Sequence, residues 1–369
     1  MTRNDLIRPF LRLHLTNVAG AGAVQLLLSL LPALERNVGV KITEIYLPDH
    51  GDLANYQKAP DSGPAKRYRR RLPNVLSRLL ECLVFARRFD GAVPLLVLGD
   101  LPLRCRAPQI VFVQTSHLCR PGRFLWKLDY LKFAIARQVF HLNARYADAF
   151  IVQTSVMREA LVASYPAIAN KIHVIAQPVP SWLLESLPQR SGFRATQRAN
   201  LRLIYPAAAY PHKNHRLLAE IEPEQAPSWP IEMLQLTISS EKNPAPNVSW
   251  VECVGFLSAP EMIRAYHEVD GLLFLSTDES YGFPLVEAMF VGLPIVCPDL
   301  PYARALCSDG AIYFDPYSID SLRQAIKSLH ARLATGWWPD WKEQLAAIPK
   351  DWDIVAGAMI DVACRIPRS

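Results

Sequence analysis

The stretch Gly271-Leu-Leu-Phe-Leu-Ser-Thr-Asp-Glu-Ser-Tyr-Gly-Phe-Pro-Leu-Val-Glu287 reads as a strand, a tight turn and the start of a helix. The apolar run at 271–276 has the length and character of a buried strand. Gly282 permits the turn and lets a ligand approach the backbone. Pro284 suits the first helical position, where a missing N–H costs nothing. Gly292-Leu-Pro294 stops the helix, and Ile295-Val-Cys297 reads as the next strand. With Phe283 and Leu285 as donors, the helix N-terminus faces the crevice at the carboxyl end of a strand, where a diphosphate binds well.

Two carboxylates frame the turn, Glu279 in the loop and Glu287 one turn into the helix, with seven residues between them. A carboxylate is a poor partner for phosphate, so this pair suits hydroxyl groups or a developing positive charge. A sugar nucleotide offers ribose hydroxyls, a diphosphate and an oxocarbenium-like centre together. An ordinary strand–helix unit with both glutamates solvated is the plainer reading.

At these residues the sequence resembles the family-4-like glycosyltransferases of GT-B fold, glycosyl transferases group 1. Their mark is Glu-x7-Glu at the start of a helix in the C-terminal domain. The surrounding text agrees: Glu279-Ser-Tyr-Gly-Phe-Pro-Leu-Val-Glu-Ala-Met289, then Gly292-Leu-Pro-Ile-Val296, then Gly310-Ala-Ile-Tyr-Phe-Asp-Pro316. The resemblance implies retention of anomeric configuration, a nucleoside diphosphate sugar as donor, no cofactor and no essential metal. It also implies that Glu287 holds the ribose and that Glu279 touches the donor sugar and steadies its anomeric centre.

Composition agrees with a folded two-domain chain. There are 369 residues, half of them hydrophobic and one fifth charged, with a formal charge of +6. That mild excess does not by itself imply nucleic acid. Seven dispersed cysteines without a Cys-x-x-Cys pair read as reduced thiols rather than a metal site. No signal peptide or membrane span is expected, since the longest apolar candidate, 24–34, is interrupted by Gln25, Ser29 and Pro32. The expected location is cytoplasmic, with peripheral attachment to the inner face of the cytoplasmic membrane.

The first half opens on a βα unit: strand 11–16, a turn with Gly20 and Gly22, and a helix over 24–34. Gln25 stands where a dinucleotide fingerprint needs its third glycine, which excludes NAD. The resemblance places Gly20 and Gly22 near the donor; a tight turn without ligand is the other reading. Strands follow at 40–47, 94–98, 109–114, 147–152 and 171–175, and helices at 73–88 and 124–145. Between 66 and 88 lie eight basic residues and one acid, Glu81, on and before a helix carrying six apolar side chains. Such a patch suits an anionic membrane surface, or else is a solvated charge run. Its lone Tyr68 argues against nucleic acid. The resemblance makes His117, after the strand at 109–114, the candidate that contacts the transferred sugar; a surface-loop histidine is the alternative.

The second half begins with Leu201-Arg-Leu-Ile-Tyr205 and a turn into Lys213-Asn214. Lys213 at a helix start can reach a phosphate. Relatives carry Gly-Arg just before; here Ala207 and Ala208 stand there, leaving a second phosphate charge to His212 or Arg216. The loop after strand 249–254 touches the base in relatives, which points to Phe256, itself also readable as a packing residue. Asp351-Trp-Asp353 opens a helix, so Asp351 reads as an N-cap rather than a metal ligand. The segment 335–349, with Trp337, Trp338 and Trp341, carries no decodable signal.

The expected architecture is α/β, GT-B, with two Rossmann-like domains facing across a cleft: 1–185 on the acceptor side, 196–350 for the nucleotide sugar, and a helix at 351–369 returning to the first. The expected partners are a nucleotide sugar, a glycan or lipid-linked acceptor and an anionic membrane, in bacterial surface polysaccharide or lipopolysaccharide assembly. A GT-B sugar-nucleotide epimerase or hydrolase and a non-catalytic nucleotide-sugar binder are the alternatives, the latter favoured by Ala207 and Ala208.

Overall fold

The structure, a computed structural model, describes residues 9–18, 20–68, 74–119, 127–185 and 199–366. The chain forms two compact units, one of residues 1–178 with 349–369 and one of residues 179–348.

The first unit alternates strand and helix: β1 (Phe10–His14), α1 (Ala21–Arg36), β2 (Lys41–Pro48), β3 (Ala65–Tyr68), α2 (Asn74–Leu83), β4 (Leu95–Val97), β5 (Gln109–Phe112), α3 (Lys127–Asn143), β6 (Ala149–Val152), α4 (Ser155–Ser164) and β7 (Ile172–Val174). Its parallel sheet runs β3-β2-β1-β4-β5-β6-β7. The central strands are buried on both faces, as their apolar text requires, and the one polar residue, Gln109, is paired through its side-chain amide with the Leu103 backbone. Thr154 caps α4 by accepting the Met157 N–H at 3.1 Å.

Two departures from the sequence reading lie in the basic stretch. Lys66 and Arg67 fall in β3, an edge strand whose side chains face outward; a charged edge strand discourages pairing with another sheet. The helix expected over 73–88 stops at Leu83, and a 3-10 turn, Phe85–Phe89, follows. Its three-residue period puts Ala86 and Phe89 together in the core and leaves Arg87 and Arg88 outside. Arg69, Arg70 and Arg71 lie outside the described residues.

A buried polar cluster sits where β1 ends. His14 Nε2 meets Glu81 Oε1 of α2 at 2.7 Å, and the Thr16 hydroxyl donates to the same oxygen. The separation of 67 positions between His14 and Glu81 hides this pair from local sequence patterns.

The second unit holds α5 (Ser181–Leu184), β8 (Leu201–Tyr205), β9 (Ile231–Leu236), β10 (Val251–Cys253), α6 (Ala259–Glu268), β11 (Gly271–Leu273), α7 (Phe283–Val291), β12 (Ile295–Pro298), α8 (Pro301–Cys307), β13 (Ile312–Phe314), α9 (Ile319–Ala334) and α10 (Lys342–Ala346). Its parallel sheet runs β10-β9-β8-β11-β12-β13. The direction of winding reverses between β8 and β11, which is where open α/β sheets leave a crevice at their carboxyl ends. The helix read at 216–220 is a 3-10 turn, His215–Glu220. Residues 179–185, assigned by sequence to the first domain, pack with the second unit, because Val179 and Leu183 are buried in its core.

The last helix, α11 (Trp352–Cys364), lies in the first unit and packs on α1. Asp351 caps it, accepting the Ile354 N–H at 2.9 Å. The Arg36–Asp353 ion pair across α1 and α11 is exposed, so it contributes about 0–1 kcal/mol. The fully buried Val355 and Met359 contribute more, about 1.5–3 kcal/mol each. No helix among the described residues is long and apolar enough to cross a membrane.

Candidate functional site

The loops after β8 and β11 leave adjacent parallel strands at the same sheet edge, with Leu203 paired to Gly271 and Ile204 to Leu272. They carry Lys213 and Glu279, whose Nζ and Oε1 lie 2.5 Å apart. Both side chains are largely shielded, at 16% and 12% exposure. The lysine also lies 5.9 Å from the centre of the Phe274 ring.

The two loops are tied through one carbonyl. The Thr277 N–H donates to His212 O at 2.8 Å, and the Thr277 and Ser276 hydroxyls donate to it at 3.1 and 3.2 Å. The Tyr205 hydroxyl donates to Lys213 O at 2.7 Å. Asn214 adopts a left-handed conformation (φ 54°), and its side-chain amide donates to Pro316 O at 2.9 Å. His215 is buried beside Lys213; burial, then the lysine's charge, holds its imidazole down at about 4. Lys213 is therefore held by its backbone on both sides.

Gly282 precedes α7 with φ 100°, a conformation costly for any other residue, and a Cβ there would approach Leu285 Cδ1 at 3.3 Å. Pro284 has no N–H, and the Leu285 N–H donates back to Gly282 O at 2.9 Å. This corrects the expectation that Phe283 and Leu285 both present donors. Only Phe283 of that pair has an amide not taken by a backbone carbonyl among the described residues.

Glu287 sits in α7 with 8% exposure. Its Oε2 accepts the Tyr266 hydroxyl of α6 at 2.6 Å. Burial pushes the Glu287 carboxyl up to about 7, against the lowering effect of that hydrogen bond. The solvated-glutamate reading is thereby overturned for both carboxylates. Sequence reasoning missed Tyr266, because nothing local links it to a glutamate 21 residues on.

Ala207 donates its N–H to Thr237 Oγ1 at 3.0 Å, and Ala208 is exposed; no guanidinium stands at either position. The His212 ring stacks on Tyr210, with centroids 5.7 Å apart. Phe256, in the loop after β10, is 86% exposed, which overturns the packing reading. The undecoded tryptophans hold the far end of α7. Trp338 Nε1 donates to Gly292 O at 2.6 Å, and Trp341 Nε1 donates to Leu293 O at 2.9 Å.

The remaining candidates lie in the first unit. Gly20 and Gly22, at the start of α1, have negative φ or helical geometry, and a Cβ on either would meet nothing within 4 Å among the described residues. The backbone thus does not require glycine there; the glycines leave open space. His117 is buried in a short 3-10 turn, its ring 4.5 Å from that of Phe133 on α3, and Arg137 donates to its carbonyl at 3.2 Å. It is not a surface-loop histidine. No cluster of three or more His, Cys, Asp or Glu side chains suited to a metal occurs among the described residues.

Residues 242–332 match the family model of glycosyl transferases group 1. An O-antigen chain mannosyltransferase, RfbU, of Salmonella typhimurium is 21% identical over 226 residues, 58% of this chain and 60% of that protein. A serotype-specific mannosyltransferase, WbdA, of Escherichia coli is 26% identical over 105 residues, 26% of this chain and 13% of that protein. The chain therefore spans less than two thirds of the length of these relatives. Among solved structures, a sucrose-phosphate synthase of Thermosynechococcus elongatus superposes with TM-score 0.68 at 14% identity, covering 97% of this chain and 98% of that one. WaaG, a glycosyltransferase involved in lipopolysaccharide biosynthesis, superposes with TM-score 0.63 at 13% identity, over 97% and 100%. Anabaena HepE in complex with UDP and glucose gives 0.59 at 16%, over 97% and 100%. The chain has the GT-B fold, and the match to the glycosyl transferases group 1 model lies within its second unit.

Proposed function

We propose that this GT-B chain is a glycosyltransferase, moving a sugar from a nucleoside diphosphate to a glycan or lipid-linked acceptor in bacterial surface polysaccharide or lipopolysaccharide assembly. One observation carries the reading. Lys213, Glu279 and the N-terminus of α7, with Glu287 one turn in, gather at the carboxyl edge of one sheet beside its point of winding reversal. The relatives named as mannosyltransferases and the neighbour that binds UDP and glucose support it.

In this reading Glu287 accepts the ribose hydroxyls and Phe256 offers its exposed face to the base. Lys213 and the Phe283 amide neutralise the leaving diphosphate, which is stabilisation of charge as it develops. Glu279 steadies the positive anomeric centre. The departing phosphate oxygen takes the acceptor proton on the face the diphosphate leaves, so configuration is retained, and the Lys213 ammonium and the Phe283 amide balance the leaving charge in place of a metal. The parts proposed for His117 and for Gly20 and Gly22 rest on the family resemblance alone.

A thermal-shift panel of UDP, GDP, ADP, CMP and dTDP, with and without EDTA, tests the donor site. One nucleoside diphosphate at a hundred times its dissociation constant should raise Tm by about 5–10 °C, and EDTA should leave the shift in place. No shift with any of them favours loss of the donor site through Ala207 and Ala208. A shift abolished by EDTA contradicts the metal-free reading.

A membrane role is also proposed for the first unit, with a cytoplasmic, inner-face location. Leu76, Val84 and Phe85 are exposed at 53%, 58% and 45%, beside the exposed Arg87 and Arg88. The Arg88 guanidinium lies 4.8 Å from the Phe85 ring centre. At about 1 kcal/mol per cation, replacing Arg87 and Arg88 with Ser should weaken binding to phosphatidylglycerol-rich vesicles about 30-fold. Unchanged co-sedimentation would remove the idea.

A further inference from the structure

We infer that Tyr266 is a positioning residue that orients the Glu287 carboxylate toward the two hydroxyls of a ribose, making the site selective for ribonucleotides over 2′-deoxyribonucleotides. The inference rests on the donor site proposed above and deepens it.

Tyr266 belongs to α6 and is completely buried. Its hydroxyl and Glu287 Oε2 lie 2.6 Å apart, a short charge-assisted contact. A carboxylate accepts through two oxygens, each with two lone-pair directions. One hydroxyl donating to Oε2 fixes the carboxylate's rotation and leaves Oε1 and the second lone pair of Oε2 for other donors. A vicinal diol supplies two O–H donors at the right separation for such a fixed group; a 2′-deoxyribose supplies one.

The tyrosine could not be exchanged for any buried filler without consequence. Among the described residues, including those of α6, α8, α10, β11 and β12 that pack on α7, Tyr266 is the group that lowers the Glu287 carboxyl against its burial. Removing the hydroxyl leaves a carboxyl that is neutral more of the time and free to rotate. A neutral acid is a weaker acceptor for hydroxyls than a carboxylate.

The fold also places Tyr266 where it can join two parts of a nucleotide site. The helix α6 is fixed at its start by a capping box, in which Ser258 accepts from the N3 backbone and Glu261 accepts the Ser258 N–H at 2.8 Å. The exposed Phe256 lies just ahead of that cap. One rigid helix therefore sets the base platform at one end and the hydroxyl that orients the ribose acceptor near the other.

The test is a comparison of affinities, by calorimetry, for UDP, GDP and ADP against their 2′-deoxy counterparts, in the wild-type chain and in Tyr266→Phe. The wild type should prefer the ribonucleotide that it binds by about tenfold or more, the loss expected when a charged acceptor goes unmatched. Tyr266→Phe, which keeps the ring and its packing, should cut that preference to about twofold. It should also recover part of the preference as the pH is raised, because loss of the hydroxyl moves the Glu287 carboxyl further up and ionisation returns only at higher pH. Equal weakening of both nucleotides, or an unchanged ratio, would show that Tyr266 only packs and would overturn the inference. Tightest binding of dTDP, which has no 2′-hydroxyl, would likewise overturn it, whereas absence of binding by the wild type to any of the six and to CMP and dTDP would overturn the donor-site reading on which it stands.

Discussion

Replacing Glu279 with Gln is expected to tighten the binding of a bare nucleoside diphosphate about tenfold while lowering sugar transfer about a hundredfold. The Glu279 carboxylate sits 2.5 Å from the Lys213 ammonium, with both side chains shielded from water. On the donor site proposed above, it competes with a phosphate oxygen for that lysine. A diphosphate must therefore displace or share the carboxylate. Two unit charges near a protein surface interact by about 4 kcal/mol at 4 Å. Most of this returns as hydration when the lysine is freed, and about 1.4 kcal/mol of relief corresponds to the tenfold gain. Gln keeps the shape and removes the charge. With the sugar attached, the balance should reverse, because on the proposed mechanism the carboxylate that competes with phosphate is the one that steadies the anomeric cation. Calorimetry and initial rates on the same preparation separate the two effects. Weaker nucleotide binding in Glu279→Gln would mean that the carboxylate is no competitor of phosphate.

Lys213→Ala should act in the opposite sense on binding and in the same sense on rate. Without Arg at Ala207 or Ala208, this lysine is the ammonium or guanidinium that the geometry places at the sheet edge beside Glu279. On the proposed mechanism its removal takes away a donor to the leaving diphosphate. Loss of one such preorganised donor costs about a hundred- to a thousandfold in rate. The stranded Glu279 carboxylate adds repulsion toward the diphosphate, so kcat/KM should fall by about a thousandfold and nucleotide affinity by about tenfold or more. The double variant Lys213→Ala with Glu279→Gln should regain nucleotide affinity relative to Lys213→Ala alone. Steady-state rates at saturating acceptor, with the nucleotide dissociation constants of all four proteins, close that cycle. If Lys213→Ala transfers sugar at the wild-type rate, the lysine is not part of the site.

Much of this site is legible in one dimension, because its chemistry is local. Gly282, Pro284 and Glu287 lie within one turn and one helix, and apolar runs on both sides mark the strands. The sheet order is not local, yet it follows from alternation of strand and helix, since parallel crossovers leave few arrangements. What stayed hidden depends on partners far apart in sequence. Tyr266 looks like one more residue of an amphipathic helix until Glu287 is placed beside it. Trp338 and Trp341 make sense only once the carbonyls of Gly292 and Leu293 need donors at the end of α7. The β3 edge strand was concealed by its own charge, for Lys66 and Arg67 are chosen for solvent and not for a core. The Leu285 amide was misread for a geometric reason: the left-handed Gly282 turns its carbonyl onto that N–H. Phe256 was underread because exposure of a large aromatic side chain is not encoded in its neighbours.

Sugar transfer itself is the decisive measurement. The wild-type chain would be incubated with the mannose, glucose and N-acetylglucosamine esters of whichever nucleoside diphosphate raises its Tm, together with a lipid-linked glycan acceptor. Released nucleoside diphosphate and the anomeric configuration of the product would be read by chromatography and NMR. The account predicts release matched by a glycoside of the donor's own configuration, undiminished by EDTA and nearly abolished in Lys213→Ala. Nucleotide binding without release from any of these esters would contradict it, and would leave the chain as a binder of nucleotide sugars rather than a catalyst of their transfer.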